Sequence, residues 1–135
     1  MQPPVRLGSL TFESLDAHPE LIATPVAAAA RALEPRMRAS IAVAEIDPAL
    51  ADTAAFCERY GVALDRSANC VVLACRREGR AWFAACVILA TLRIDVNGIV
   101  KRHVRASKIS FASMDAATAA SAMEYGGITP LGLPP

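Results

Sequence analysis

The feature that most constrains this chain is a pair of apolar runs joined by a short charged link. Residues 70–75 read CVVLAC and residues 81–90 read AWFAACVILA, with RREGR between them. β-Branched and aromatic residues on both sides of a link that contains glycine predict an antiparallel hairpin whose arms are largely buried. The longer run is well short of the roughly 20 apolar residues that a membrane-spanning helix needs. The hairpin is therefore expected to lie in a soluble core.

The rest of the chain predicts helices interleaved with short strands. Helices are predicted over 19–33 (with Thr24-Pro25 as a point of division), over 49–60 (stopped by Gly61), near 95–103 (capped by Asp95) and over 115–124. Strands are predicted over 41–46 and 108–111, and residues 1–10 are expected to form a loose leader without an export signal. This order indicates an α+β (mixed α/β) fold: a single domain over residues 1–135, with a mixed sheet covered by helices.

The charge of the chain is almost balanced, which restricts how it can contact nucleic acid. Its 14 Lys and Arg residues and 13 Asp and Glu residues give a net charge of +1, so affinity cannot come from a uniformly basic surface. A local positive run could still contact phosphates, although a solvated helix face explains the same run equally well. Its members are Arg93, Lys101, Arg102, His103, Arg105 and Lys108, which include both lysines of the chain.

The cysteines and histidines show no spacing typical of a metal or redox site. The four cysteines form no CxxC pair and the two histidines are far from them in sequence, so neither a metal site nor another cofactor is predicted. Free cysteines in apolar runs are usually small buried side chains, which fits a reducing cytoplasm. A thiol-dependent enzyme using Cys70 or Cys75 is a weaker alternative.

The C-terminal segment is rich in glycine and proline. Residues 126–135 read GGITPLGLPP and predict a shaped loop. Glycines let backbone amides converge on a carbonyl or phosphate oxygen. A helix stop at Gly126 and Gly127 followed by a proline-fixed turn explains the same residues, and spacing alone favours that simpler interpretation.

Together these segments resemble the YbaK-type aminoacyl-tRNA editing domains, which also occur with bacterial prolyl-tRNA synthetase. The resemblance covers residues 41–133 and is most specific over residues 126–132 (GGITPLG), which are similar to the family's Gly-x-x-x-Pro loop. Residues 68–73 (ANCVVL) resemble the strand that carries the family's key lysine, and Arg93-Ile94-Asp95 resembles its R-x-D segment. The resemblance implies a partly barrel-like sheet with surrounding helices.

The resemblance also implies an activity, which is hydrolysis of the ester between a wrong amino acid and the 3′ end of tRNA. Backbone amides of the loop formed by Gly126, Gly127, Ile128, Thr129 and Pro130 would hold the aminoacyl carbonyl and stabilise an oxyanion. Water, assisted by a ribose hydroxyl, would attack without a protein nucleophile. The implied partners are mischarged tRNA, contacted through the lysines and arginines of the positive run, and prolyl-tRNA synthetase.

Two departures from the family pattern define the alternative function. Asn69 occupies the position of the family's lysine, and it can form hydrogen bonds but carries no charge. Lys108 is the candidate to replace that charge from a neighbouring strand. The chain also ends at Pro135, before the family's final strand with its aspartate, so that strand is expected to be absent or cut off. The alternative is a catalytically inactive editing-like module that binds tRNA or a protein partner.

Overall fold

The computed structural model describes residues 5–135, and its helices and strands confirm the α+β class. The strands are β1 Val5–Leu7, β2 Leu10–Ser14, β3 Ala42–Val43, β4 Ala68–Arg77, β5 Arg80–Leu89 and β6 Lys108–Phe111. The α-helices are α1 Thr24–Ala32, α2 Pro35–Arg38, α3 Thr53–Tyr60, α4 Lys101–His103 and α5 Met114–Ser121. Single 3-10 turns form at Pro19–Leu21, Pro48–Leu50 and Leu64–Arg66, and a π-helical turn at Val96–Val100 leads into α4.

The strands form two antiparallel sheets, in the orders β1-β2-β3 and β5-β4-β6. This corrects the prediction of one mixed sheet: every pairing among residues 5–135 is antiparallel, and within that range no pairing joins the two sheets or closes a barrel. The extra sheet begins in the segment that was expected to be a loose leader. There Leu7 pairs with Leu10 across the two-residue turn Gly8-Ser9, a short hairpin signal that the nearby prolines obscured.

The predicted hairpin is confirmed and organises the larger sheet. β4 and β5 pair from Ala68 opposite Leu89 to Arg77 opposite Arg80. The turn residues Glu78 and Gly79 both have positive φ, 50° and 77°, as a type I′ turn requires. β4 is the central strand, and its two most buried side chains lie near its middle and belong to the core on one face of the sheet.

The core of the larger sheet is closed by the connection between β5 and β6. Leu73 and Cys75 of β4, 0% and 1% exposed, pack with Val96 of the π-helical turn. Asp95 caps this turn as predicted, because its carboxylate accepts hydrogen bonds from the amides of Gly98 at 3.0 Å and Ile99 at 3.1 Å. The Asp95 cap therefore fixes the segment that covers the sheet.

A second core lies between the N-terminal sheet and α3. Leu10 of β2 packs with Cys57 and Tyr60 of α3. The Tyr60 hydroxyl accepts a hydrogen bond from the Asp47 amide at 2.8 Å. The helix ends as predicted at Gly61, whose φ of 64° is left-handed. This core fixes the second half of α3 against the N-terminal sheet.

The N-terminal helical segment divides at the predicted point. The 3-10 turn Pro19–Leu21 ends before α1 begins at Thr24. Ahead of it, the ring of His18 contacts the carboxylates of Glu13 and Glu20, the latter at 2.7 Å from Nδ1. No helix within residues 5–135 is both long and apolar enough to cross a membrane.

Candidate active site

A cleft of about 520 Å³ lies at the end of the larger sheet where β4 begins. The start of α3 forms one wall, the first residues of β4 form the floor, and the end of β6 and the C-terminal loop close the other sides. We call it the loop cleft. Its lining residues include Ala51, Asp52, Thr53, Asn69, Cys70, Phe111, Ala112, Tyr125, Gly126 and Ile128.

Three of the predicted site residues line this cleft together. Asn69 is exposed at the start of β4, and Gly126 and Ile128 approach it from the C-terminal loop. Gly127 and Thr129 lie in the same loop but their contacts are within the loop, and Pro130 follows them at the surface. Of the five predicted loop residues, Gly126 and Ile128 therefore line the cavity together with Asn69 from β4.

The loop glycines are not a helix stop, which corrects the simpler interpretation of the sequence. Helix α5 ends at Ser121, earlier than the predicted end near Glu124, and its C-cap Ala122 has a left-handed φ of 53°. The glycines belong to a separate β-turn, in which the Gly127 amide donates to the Glu124 carbonyl at 2.9 Å. Gly126 occupies the third position of this turn with a φ of 83°, where a type II turn needs glycine.

The contact between residue 126 and Ala51 also requires glycine at position 126. A Cβ on Gly126 would lie 2.5 Å from the Cβ of Ala51, just before α3. Atoms in ordinary contact are separated by about 3.5–4.0 Å. The loop can approach the start of α3 this closely only because residue 126 has no side chain.

The loop amides divide into two kinds. The Gly127 amide donates to Glu124, and the Thr129 amide donates to the sulfur of Met123 at 3.4 Å. Within residues 5–135 no hydrogen bond is found for the amides of Gly126 and Ile128, which are the two loop residues lining the cleft. These two amides are the available donors for a ligand oxygen.

The loop cleft carries one carboxylate and no cation among its described lining residues. Asp52, the N-cap of α3, is exposed and accepts a hydrogen bond from the Ala55 amide at 3.5 Å. Cys70 also lines the cleft, but burial raises the pKa of its thiol, and the neighbouring Cys86 raises it further. Less thiolate forms at neutral pH as a result, which disfavours the thiol-dependent alternative. Free thiols are found at all four cysteines.

Lys108 does not supply the missing charge beside Asn69. It lies opposite Arg76 in the pairing of β4 with β6, and Arg76 and Asn69 are seven residues apart on β4, about 23 Å along a strand. Long-range pairing decided this register, and the sequence contained no local signal for it. The other basic candidates do not line the loop cleft either. Lys101 and Arg105 line cavities at the far end of the sheet, whereas Arg93 follows β5 and Arg102 lies exposed on α4.

Sequence reasoning missed several residues of the site. Asp52, Thr53 and Tyr125 line the cleft but were not among the candidates. The signal for the first two was available, because an Asp followed by a helical run marks a helix start, where side chains face neighbouring segments. Tyr125 had no such signal, since its position depends on the turn after Ala122.

Comparison with known proteins identifies a family. A family model described as an aminoacyl-tRNA editing domain matches residues 47–135. The match includes both sides of the loop cleft. Searches of curated proteins and of solved structures find no match. Within residues 5–135, no group of three or more His, Cys, Asp or Glu side chains is arranged to hold a metal ion.

Proposed function

The chain belongs to the aminoacyl-tRNA editing domain family, and from that premise we propose that it is a deacylase that hydrolyses the ester of mischarged tRNA in the loop cleft. Family membership supports a tRNA-related substrate. The observation that carries the proposal to this cleft is that Asn69, Gly126 and Ile128 line one cavity. Trans-editing of the YbaK type, in the cytoplasm and alongside prolyl-tRNA synthetase, is the finer form of the proposal.

The proposed chemistry uses backbone donors and needs no protein nucleophile. The carbonyl oxygen of the ester accepts hydrogen bonds from the amides of Gly126 and Ile128. Water attacks the carbonyl carbon, and the same amides stabilise the oxyanion of the tetrahedral intermediate. The bond to the ribose oxygen then breaks, the ribose oxygen takes a proton, and the products are the free amino acid and tRNA. A hydroxyl of the terminal ribose assists the attacking water.

Asp52 gives the cleft a second way to recognise the substrate. An aminoacyl ester carries a free α-ammonium group, and Asp52 is the one charged side chain among the described lining residues. Opposite unit charges about 4 Å apart attract by about 1 kcal/mol even in water. We therefore assign Asp52 to the α-ammonium group, opposite the loop that would hold the carbonyl.

Asn69 supports a second candidate, an inactive module that binds tRNA or a protein partner. The loop cleft contains no lysine or arginine among its described lining residues, and Lys108 lies at the other end of β4. An amide side chain can hold the terminal nucleotide by hydrogen bonds but cannot neutralise a phosphate. Asn69→Lys separates the two candidates: an increase in hydrolysis from an inactive parent supports the module, whereas an active parent rules it out.

The deacylase is tested with a panel of mischarged tRNAs, including alanyl and cysteinyl forms of tRNA-Pro. The expected result is release of the amino acid from at least one of them, faster than in buffer. Cys70→Ser, which keeps the size of the side chain, is expected to leave this activity unchanged because the proposed nucleophile is water. No release from any member of the panel would overturn the proposal.

A further inference from the structure

The far end of the larger sheet carries a concentration of positive charge that the deacylase chemistry does not use. Two adjoining cavities, of about 800 and 720 Å³, share Trp82 as a common wall. We call them together the basic cleft. Its cations are Arg76, Arg77, Arg80, Lys101, Arg105 and Lys108. Six of the 14 basic residues of a nearly neutral chain therefore lie at one end of the sheet, with Arg76 and Lys108 on one face and Arg77 and Arg80 on the other.

The folded chain does little to neutralise this charge. Arg76 lies directly opposite Lys108 and Arg77 directly opposite Arg80, and like charges at facing positions destabilise a sheet. Glu78 is the one acid lining the basic cleft within residues 5–135, and its carboxylate is 3.7 Å from Nε of Arg77. An anion bound there would remove the repulsion that the sheet sustains without it.

Strand β6 joins the basic cleft to the loop cleft. Lys108 and Ser110 of this strand line the basic cleft, whereas Phe111 and the following Ala112 line the loop cleft. The step from Lys108 to Phe111 is about 10 Å along a strand. β6 is also an edge strand of its sheet among the described strands. A single extended polyanion could therefore run along β6 with its end in the loop cleft.

We propose that the basic cleft binds the phosphates of the RNA strand that leads to the aminoacylated end, where that strand joins the acceptor stem. This inference rests on the proposed function for the position of the RNA end, but its binding surface is separate from the loop cleft. Contacts of this kind are independent of sequence and position the RNA. The loop cleft then holds the ester, and the basic cleft supplies the electrostatic affinity that the loop cleft lacks.

The test measures binding of two 5′-labelled RNA probes by fluorescence anisotropy. One probe is a hairpin RNA with a 3′ single-stranded ACCA end, and the other is the tetranucleotide ACCA alone. The variant is Arg76→Ala with Lys108→Ala. The fold should tolerate it, because the two hydrogen bonds from Ser107 go to the backbone carbonyl of Arg76. The control is Arg31→Ala with Arg36→Ala, which removes the same charge from exposed positions on α1 and α2.

The expected result is a loss of salt dependence that is specific to the hairpin RNA. Each lost phosphate contact should lower the slope of log affinity against log salt by about 0.7, so the double variant should lose about 1.4. Binding of ACCA and the salt slope of the control variant should not change. Equal slopes in the variant and the parent, or an equal loss in the control, would overturn the proposal. So would displacement of the hairpin RNA by millimolar inorganic phosphate, since a small anion would then be the occupant.

Hydrolysis measured in parallel separates this inference from the deacylase. The substrate is an aminoacyl ester of ACCA, which is too short to need the basic cleft. If the ester is stable but the hairpin RNA binds through Arg76 and Lys108, the deacylase fails and the RNA surface stands. If the ester is cleaved but the double variant binds the hairpin RNA normally, the RNA surface fails and the deacylase stands. Thermal denaturation verifies that the variant is folded, and Lys108→Glu alone must also weaken hairpin binding.

Discussion

Substitution of Gly126 by alanine should distort the loop that lines the cleft. Two costs combine. Alanine with a φ of 83° loses about 1–2 kcal/mol for a left-handed backbone, and its Cβ at 2.5 Å from Ala51 adds about 1–3 kcal/mol of overpacking. A domain of this length changes its melting temperature by about 3–4 °C per kcal/mol. We therefore expect Gly126→Ala either to lower the melting temperature by about 6–20 °C or to move the loop away from Ala51.

Both responses displace the amides that would hold the carbonyl, so activity should fall in either case. Removal of one oxyanion donor typically costs about 10²–10³ in kcat, and this is the loss expected in single-turnover hydrolysis of a mischarged tRNA. Gly127→Ala is the matched control. Gly127 is not among the residues with positive φ, and the nearest atom to its added Cβ is the Glu124 carbonyl oxygen at 3.4 Å.

A rescue separates the two costs. Ala51→Gly in the Gly126→Ala background removes the contact between the two Cβ atoms but leaves the strained φ, so it should restore only the packing part of the lost stability. The reasoning is refuted if Gly126→Ala and Gly127→Ala have the same melting temperature and the same rate. It is also refuted if Ala51→Gly restores nothing in a folded Gly126→Ala protein.

Three further predictions concern single side chains. Asp52→Asn keeps a good helix cap but removes the charge, so it should raise KM for aminoacyl-tRNA at an unchanged melting temperature. An N-acetylaminoacyl-tRNA has no ammonium group, so the variant and the parent should hydrolyse it equally. Gly98→Ala places a Cβ against the Asp95 carboxylate and disrupts that helix cap, so it should lower the free energy of unfolding by about 0.5–2 kcal/mol. Denaturant unfolding measures this loss. Ile99→Ala, at an exposed position, is the control and should change the free energy of unfolding little. Hydrogen bonds to Glu20 and Glu13 raise the pKa of His18. The stabilising effect of protonated His18 is therefore fully present below the unfolded pKa of about 6.5 and is lost as pH rises through the folded pKa. His18→Gln should lower the melting temperature at pH 5.5 and leave it unchanged at pH 9, and an equal effect at both pH values would contradict the assignment.

Local chemistry determined what could be predicted from the sequence. The hairpin of β4 and β5, the stop at Gly61 and the cap at Asp95 each depend on residues close together in the chain, and all three were predicted. The end of α5 was placed too late because Ala122 adopts a left-handed φ, which alanine rarely does and which no local pattern announces. The loop was predicted to be shaped, but the contact with Ala51 that shapes it was not foreseen.

The positions of charged groups were the hardest part to predict. Lys108 was a plausible neighbour of Asn69 until the register of β6 showed it opposite Arg76. That register joins strands separated by the whole β5 strand and the turn that follows it, and it is decided by packing against the shared core. For the same reason, Arg76 and Arg80 were regarded as part of a charged link, and their proximity to Lys108 was not anticipated.

The loop cleft is built from residues far apart in sequence, and this affects the order in which parts of the chain fold. Arg77 and Arg80 are near neighbours in sequence, so the hairpin of β4 and β5 closes a very short loop and can form on the microsecond timescale of isolated hairpins. Ala51 and Gly126 meet only after most of the chain between them has been ordered, and loop-closure entropy delays such distant contacts. The hairpin is therefore expected to form early and the loop cleft late. Amide hydrogen exchange should accordingly be slowest in the middle of β4 and much faster around Gly126, where the loop cleft can open without unfolding of the larger sheet.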